Sequence, residues 1–183
     1  MLLSLALWIQ ATAFFTYLRG STYSYPSILS LHMVFLACFG GMIVMTDLRL
    51  LGFAMRKRSA ADVIEQLRIP KRIGLLFMVT LGFLLFACKA EEYYYNIFFR
   101  LKLIFLTLVF LHLLLFRRGV LDEVPQLDTT KRLPGRVRLT AYLSLLLWTG
   151  VAICGRGIGY IEVPWGIHAK LPDSILALRA FYR

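Results

Sequence analysis

Acidic residues are scarce in this chain, and cysteines scarcer: 183 residues hold ten Asp and Glu against 21 Lys and Arg, with three cysteines. Cys38, Cys88 and Cys154 stand alone, with no CxxC pair and no CxxCH attachment motif, so a structural zinc site of ordinary spacing and a covalently attached haem are excluded. A disulfide between Cys88 and Cys154 stays open, because both fall near the same end of their apolar runs. There is no glycine-rich phosphate loop, no Ser-His-Asp arrangement and no pair of acids inside an apolar run, which removes nucleotide hydrolysis, triad chemistry and paired-carboxylate catalysis. Sequence repeats and low-complexity tracts are missing too. The first residues lack the basic start and small-residue cleavage site of a secretory signal, so they are read as part of the mature chain.

Apolar surface is what the chain has in abundance. It is 59% hydrophobic and 17% charged, with a mean hydropathy of +0.70. That composition is an integral membrane protein, and the lipid bilayer is its first partner. A net charge of +11 suits nucleic acid only when the cations gather on one soluble face among groove-reading or stacking motifs. Here they lie between apolar runs, so no nucleic-acid partner is expected.

A bilayer core of about 30 Å needs about 20 apolar residues in a helix. Four runs approach that length, at 27–46, 73–88, 97–116 and 139–154, the second and fourth needing flanking residues to complete the crossing. Residues 1–18 carry Trp8, Gln10, Thr12 and Thr16, and two readings stay open for them: a further span, or an amphipathic helix lying in the interface. The fold class is therefore all-α: a single transmembrane helical domain over 1–183, a left-handed four-helix bundle with an added N-terminal transmembrane or interfacial helix.

Orientation follows the excess of Lys and Arg in short cytoplasmic loops. The loops 47–72 and 117–138 hold thirteen of the 21 cations, which makes both cytoplasmic, the tail 155–183 periplasmic, and the location a bacterial inner membrane. Tyr93, Tyr94 and Tyr95 suit an outer aromatic belt, and Asn96 is placed to cap the span that follows. Within the first loop, Ser59 to Arg68 reads as a short helix with Ser59 as its N-cap and Asp62 at the third helical position, ended by Pro70. Residues 121–135 read as irregular loop, and the tail as a surface segment ending in a short amphipathic helix from Asp173.

Five ionisable residues sit within or at the edge of the spans. His32 and Lys102 each lie about five residues into a span entered from outside, hence roughly 8 Å deep on the helical rise, while His112 is about 22 Å deep. His32 and His112 cannot ligate one iron. An ionisable group in a span usually has a partner or a ligand. Each also has an ordinary reading: Lys102 snorkels to the headgroups, His32 hydrogen-bonds a carbonyl or a hydroxyl such as Ser30 or Thr149, and His112 makes an interhelix contact. Asp47 and Arg49, where the first clear span meets the cytoplasm, read as a structural polar clamp. His168, in the tail, reads as surface.

Several short pieces carry a resemblance. Tyr25, Pro26, Leu31, His32, Gly40 and the run Asp47 to Gly52, then Gly82, Leu84, Leu85 and Phe86, then Asn96, Phe99, Lys102 and Leu103, and finally Gly155, Arg156 and Tyr160, resemble an uncharacterised family of small bacterial polytopic membrane proteins with a domain of unknown function. The likeness covers about residues 18–160. More distantly, the early-span His, the Gly-Leu-Leu span and the Lys-Leu opening are similar to the four-helix haem-linked protoporphyrinogen oxidases and to copper-resistance D-like membrane proteins. That likeness implies a cofactor site of b-type haem or a related porphyrin, used in membrane electron transfer. His32 would be the metal ligand, and Lys102, with Arg100 or Arg156, would hold the propionates. The alternative is a non-catalytic accessory subunit that stabilises a larger respiratory or photosynthetic membrane complex through its apolar faces.

Overall fold

The computed structural model describes residues 2–117, 119 and 133–160, and every element in it is helical. In chain order these are α1 (Leu2–Ala11), α2 (Ala13–Gly20), α3 (Ser24–Leu51), α4 (Ala60–Cys88), α5 (Ala90–Tyr95), α6 (Ile97–His112), continued by a π-helical turn (Leu113–Arg117), and α7 (Gly135–Gly157). Four of them are long and apolar enough to cross a membrane: α3, α4, α6 with its π turn, and α7. The expectations for loop 121–135, apart from its last residues, and for the tail with His168 lie outside the described residues.

The four long helices bury one stripe each, at alternating steps of three and four. On α3 the stripe runs His32, Leu36, Phe39, Ile43, Thr46–Asp47 and Leu50; on α4 Gly74, Met78, Leu81, Leu85 and Cys88; on α7 Val137, Thr140, Ser144, Leu147, Val151 and Cys154. On α6 the same steps pick out Phe98, Lys102, Phe105, Val109 and His112. A mean step of 3.5 residues is the period of left-handed, coiled-coil-like packing. The opposite faces expose Leu, Ile, Val and Phe side chains in number, as a lipid-facing surface does.

Close approach between α6 and α7 depends on glycine. A Cβ at Gly150 would stand 2.6 Å from the Phe105 ring, and one at Gly157 would stand 2.7 Å from Phe98. Two phenylalanines seven residues apart thus enter two glycine gaps seven residues apart, which fixes the antiparallel register of the pair. On the other side Phe39 meets Trp148 edge to face at 5.2 Å and packs with Ile43 and Met78 in the apolar middle of the bundle. By contrast α4 and α6 touch sparsely, chiefly through the stacked rings of Phe86 and Phe99, 5.4 Å apart.

Local chemistry sets the helix ends. The Asn96 carboxamide oxygen accepts from the Phe98 and Phe99 amides, at 2.9 and 3.3 Å, and Ser59 Oγ accepts from the Asp62 amide at 3.3 Å; both are the N-caps expected. Gly52 ends α3 at φ 79°, a left-handed conformation open to glycine.

Pro70 does not end its helix. Instead α4 runs unbroken from Ala60 to Cys88 with Pro70 inside it, so the short 59–68 helix and the short 73–88 span are one element. An interior proline costs about 3 kcal/mol. Here Pro70 and Gln66, whose carbonyl loses its donor, are both exposed, and buried residues on either side, Val63 and Gly74, hold the helix together across the gap.

The N-terminal segment is two short helices, not one. The chain turns extended at Thr12, between α1 of ten residues and α2 of eight. At 1.5 Å per residue neither reaches across a hydrocarbon core of about 30 Å. Both dock at the end of the bundle that carries α5: the Gln10 side chain accepts from the Glu91 amide at 2.9 Å, Arg19 donates to the Cys88 carbonyl at 3.3 Å, and Phe15 meets Phe83 edge to face.

Candidate functional site

The heptad stripes place polar side chains in two layers. One lies near the α5 end and contains His32 and Lys102. Counting seven residues from the Phe39–Trp148 contact towards α5 brings His32 level with Gly155, and Gly155 is where Lys102 lies. The long side chain crosses that glycine: its Nζ, Cε and Cδ would be 3.5, 3.7 and 3.9 Å from a Cβ built there. His32 faces a second glycine, since a Cβ on Gly82 would stand 3.2 Å from its Cε1. Each polar side chain therefore occupies room left by a glycine on the neighbouring helix.

His32 is only 8% exposed. The Met78 carbonyl is within reach of its ring, as is the electrostatic influence of Lys102. Met78 lies one turn before Gly82, so the missing side chain at 82 uncovers this carbonyl to the imidazole. Neither Ser30 nor Thr149 is the ring's partner, and among the described residues Nδ1 has no hydrogen-bond partner. Lys102 is half-buried on the inward stripe of α6, with the Cys154 thiol as an electrostatic neighbour. Snorkelling along the lipid face does not describe it.

Arg100 and Arg156 stand at the rim of the same end, both exposed. Arg100 donates to the Tyr94 carbonyl at 3.0 Å and lies over the Tyr94 ring; Arg156 donates to the Tyr160 hydroxyl at 3.0 Å and covers that ring. Above the layer, Tyr93 stacks on Phe86 and Phe99 and its hydroxyl meets that of Tyr25 at 3.5 Å. Burial, followed by the Tyr25 hydroxyl, pushes the Tyr93 phenol far above its ordinary range, so it keeps its proton at any ordinary pH. Cys88 and Cys154 are buried, Cys38 is exposed, and all three are free. A shallow groove of about 450 Å³ runs along another face of α3 past Ser27, Ser30, Leu31 and Val34, and neither His32 nor Lys102 lines it.

The second layer lies roughly 15 to 22 Å away on the helical rise, and its extent was not legible in the chain. Asp47 and Thr46 are fully buried, with His112, Thr140 and Ser144 at 5, 7 and 1% exposure. Lys71 reaches in from α4 and donates to Thr46 Oγ1 at 3.0 Å, while that hydroxyl donates to the Met42 carbonyl at 2.8 Å. Arg49 is half-buried and donates to the Arg58 carbonyl at 2.8 Å, tying the end of α3 to the following connection. His112, seven residues beyond Phe105, comes level with Leu143 and Ser144 and stacks with Phe116. An apolar middle of Phe39, Trp148, Met78 and Phe105 lies between the layers. Among the described residues no three His, Cys, Asp or Glu side chains are grouped to hold a metal ion on their own.

No curated protein and no solved structure matches this chain. Residues 7–161, which take in all four long helices and both polar layers, match a family of unknown function (DUF6644), and the chain belongs to that family of small polytopic membrane proteins.

Proposed function

We propose that the layer at the α5 end binds b-type haem or a related porphyrin, and that the protein serves membrane electron transfer. The observation that carries this reading is the His32 imidazole, buried within the bundle with an unpartnered Nδ1. A buried polar atom left unsatisfied costs about 1–3 kcal/mol, and a metal bond would remove that cost. The residues fit one axial-ligand role. His32 would supply the nitrogen, and Lys102, with Arg100 and Arg156 at the rim, would supply cations for propionates. A haem held there would supply one-electron redox chemistry, tuned by the residues around it and by burial. The sparse contact between α4 and α6 is the side from which a flat group enters the layer.

The positive-inside reading puts this layer on the periplasmic side of a bacterial inner membrane, because the connection between α3 and α4 is basic. Lys57 and Glu92 are exposed on opposite ends, whereas Ala60 is fully buried and makes a poor reporter. A membrane-impermeant thiol reagent should label Lys57→Cys only in opened cells and Glu92→Cys in intact spheroplasts. The reverse pattern would invert the orientation.

Gentle purification with haem available during expression tests the cofactor. A reducible Soret band and an extractable porphyrin are expected. Colourless protein contradicts the reading, and co-purification with a larger complex would then point to the accessory subunit.

A further inference from the structure

Lys102 poses a problem of charge that is separate from iron. An ammonium inside a span is costly, and it is ordinarily paired or solvated at the interface. Lys102 lies on the inward stripe of α6, its stem laid across Gly155. Among the described residues it has no ion pair, and its electrostatic neighbours are an imidazole and a thiol, not a carboxylate. Of the two acids on α5, Glu92 pairs with Lys89 at 3.0 Å, and neither it nor Glu91 is an electrostatic neighbour of Lys102. Arg19, Lys89, Arg100 and Arg156 add further positive charge around the same end. Among the described residues, then, this basic layer holds no carboxylate that answers Lys102.

Access to it is apolar. The stacked Phe86 and Phe99 rings bridge α4 and α6 at the α5 end, and further along these helices Val79, Phe83 and Ile104 are exposed, at 58, 53 and 55%. A ligand arriving there comes from lipid and carries an apolar body. We propose that Lys102, seated on Gly155, holds the carboxylate of a membrane-borne amphiphile that enters between α4 and α6. This deepens the porphyrin reading by sharing Lys102 with it, a propionate being one source of such a carboxylate and a fatty acid the other. It requires no iron and no ligation by His32.

Binding to the full chain in lipid nanodiscs separates the sources. The probes are oleate against oleyl alcohol, and metal-free protoporphyrin against its dimethyl ester. At least one free acid should bind saturably, with its neutral counterpart much weaker. Lys102→Gln should lose about tenfold or more in affinity for that acid, as expected for a lost charge-assisted contact, and Lys102→Arg should retain most of it. Gly155→Leu keeps the charge but fills the seat, and should weaken binding in protein whose helix content and elution volume match the parent. Oleate binding through Lys102 assigns a fatty-acid-like ligand, and porphyrin binding through Lys102 assigns a propionate. Either acid binding equally well to Lys102→Gln, or neither acid binding the parent, overturns the proposal. Colourless protein that still binds oleate through Lys102 overturns only the haem reading.

Discussion

The two polar layers are built from similar side chains and solve burial in opposite ways. At the end away from α5, hydroxyls, a carboxylate and an ammonium from different helices converge, and Thr46 links Lys71 to the α3 backbone. At the α5 end two nitrogen bases lie near each other, each beside a glycine, and among the described residues no carboxylate acts on either and His32 Nδ1 has no partner. Polar groups that satisfy one another hold helices in register. Bases left in want of a counterpart are where a ligand is expected. On the reading proposed above, structure belongs to one end and binding to the other.

The sharpest way to break this contrast is to remove the charge at the structural end. Asp47→Ala deletes a fully buried carboxylate from a layer that contains Lys71, and the loss of one member of a buried charged group typically costs about 3–5 kcal/mol. Membrane-assembled protein, measured by fluorescence-detected size exclusion, should fall severalfold, while ligand per folded molecule stays constant. Next in size is Gly150→Leu, which drives a side chain into the Phe105 ring. Overpacking costs about 1–3 kcal/mol, and because α6 then shifts against α7, Lys102 loses its seat and the binding end should suffer as well. A thermal-shift assay alongside ligand binding reads both effects. A smaller change is Thr46→Val, which takes from Lys71 its hydroxyl acceptor. A hydrogen bond to a charged group is worth about 1.5–3 kcal/mol, discounted here because Lys71 is half-buried. A lower unfolding midpoint with unchanged binding is expected, and lost binding with intact stability would mean that the functional assignment of the two ends is reversed.

Features set by local chemistry were readable from the chain. The four apolar runs, the Asn96 and Ser59 caps and the shared depth of His32 and Lys102 follow from hydropathy, side-chain oxygens and helical rise, none of which needs a neighbour. What tertiary packing decides was not readable. Pro70 signals a stop by its own geometry, yet buried residues on both sides carry α4 through it, and so Lys71 belongs to a helix and reaches Thr46 instead of counting as one more loop cation. Helical rise put Lys102 level with His32 but left its face open, since snorkelling and inward packing differ only by rotation about α6, and the glycine gaps on α7 determine that rotation. Gly82 and Gly155 were visible in the resemblance as letters, while their use as seats for His32 and Lys102 appears only when helices are set side by side. The split at Thr12 likewise depends on Gln10 finding the α5 backbone.

The contrast between the ends comes down to two histidines buried to similar extents, His32 at 8% and His112 at 5% exposure. The most direct measurement is the reduced-minus-oxidised visible spectrum, per mole of folded protein, of His32→Ala beside His112→Ala after expression with haem supplied. The account predicts that the Soret difference disappears from His32→Ala while that protein stays in the membrane, and that His112→Ala keeps it. An intact signal in His32→Ala, or its loss in His112→Ala alone, would contradict the placement of the binding site at the α5 end.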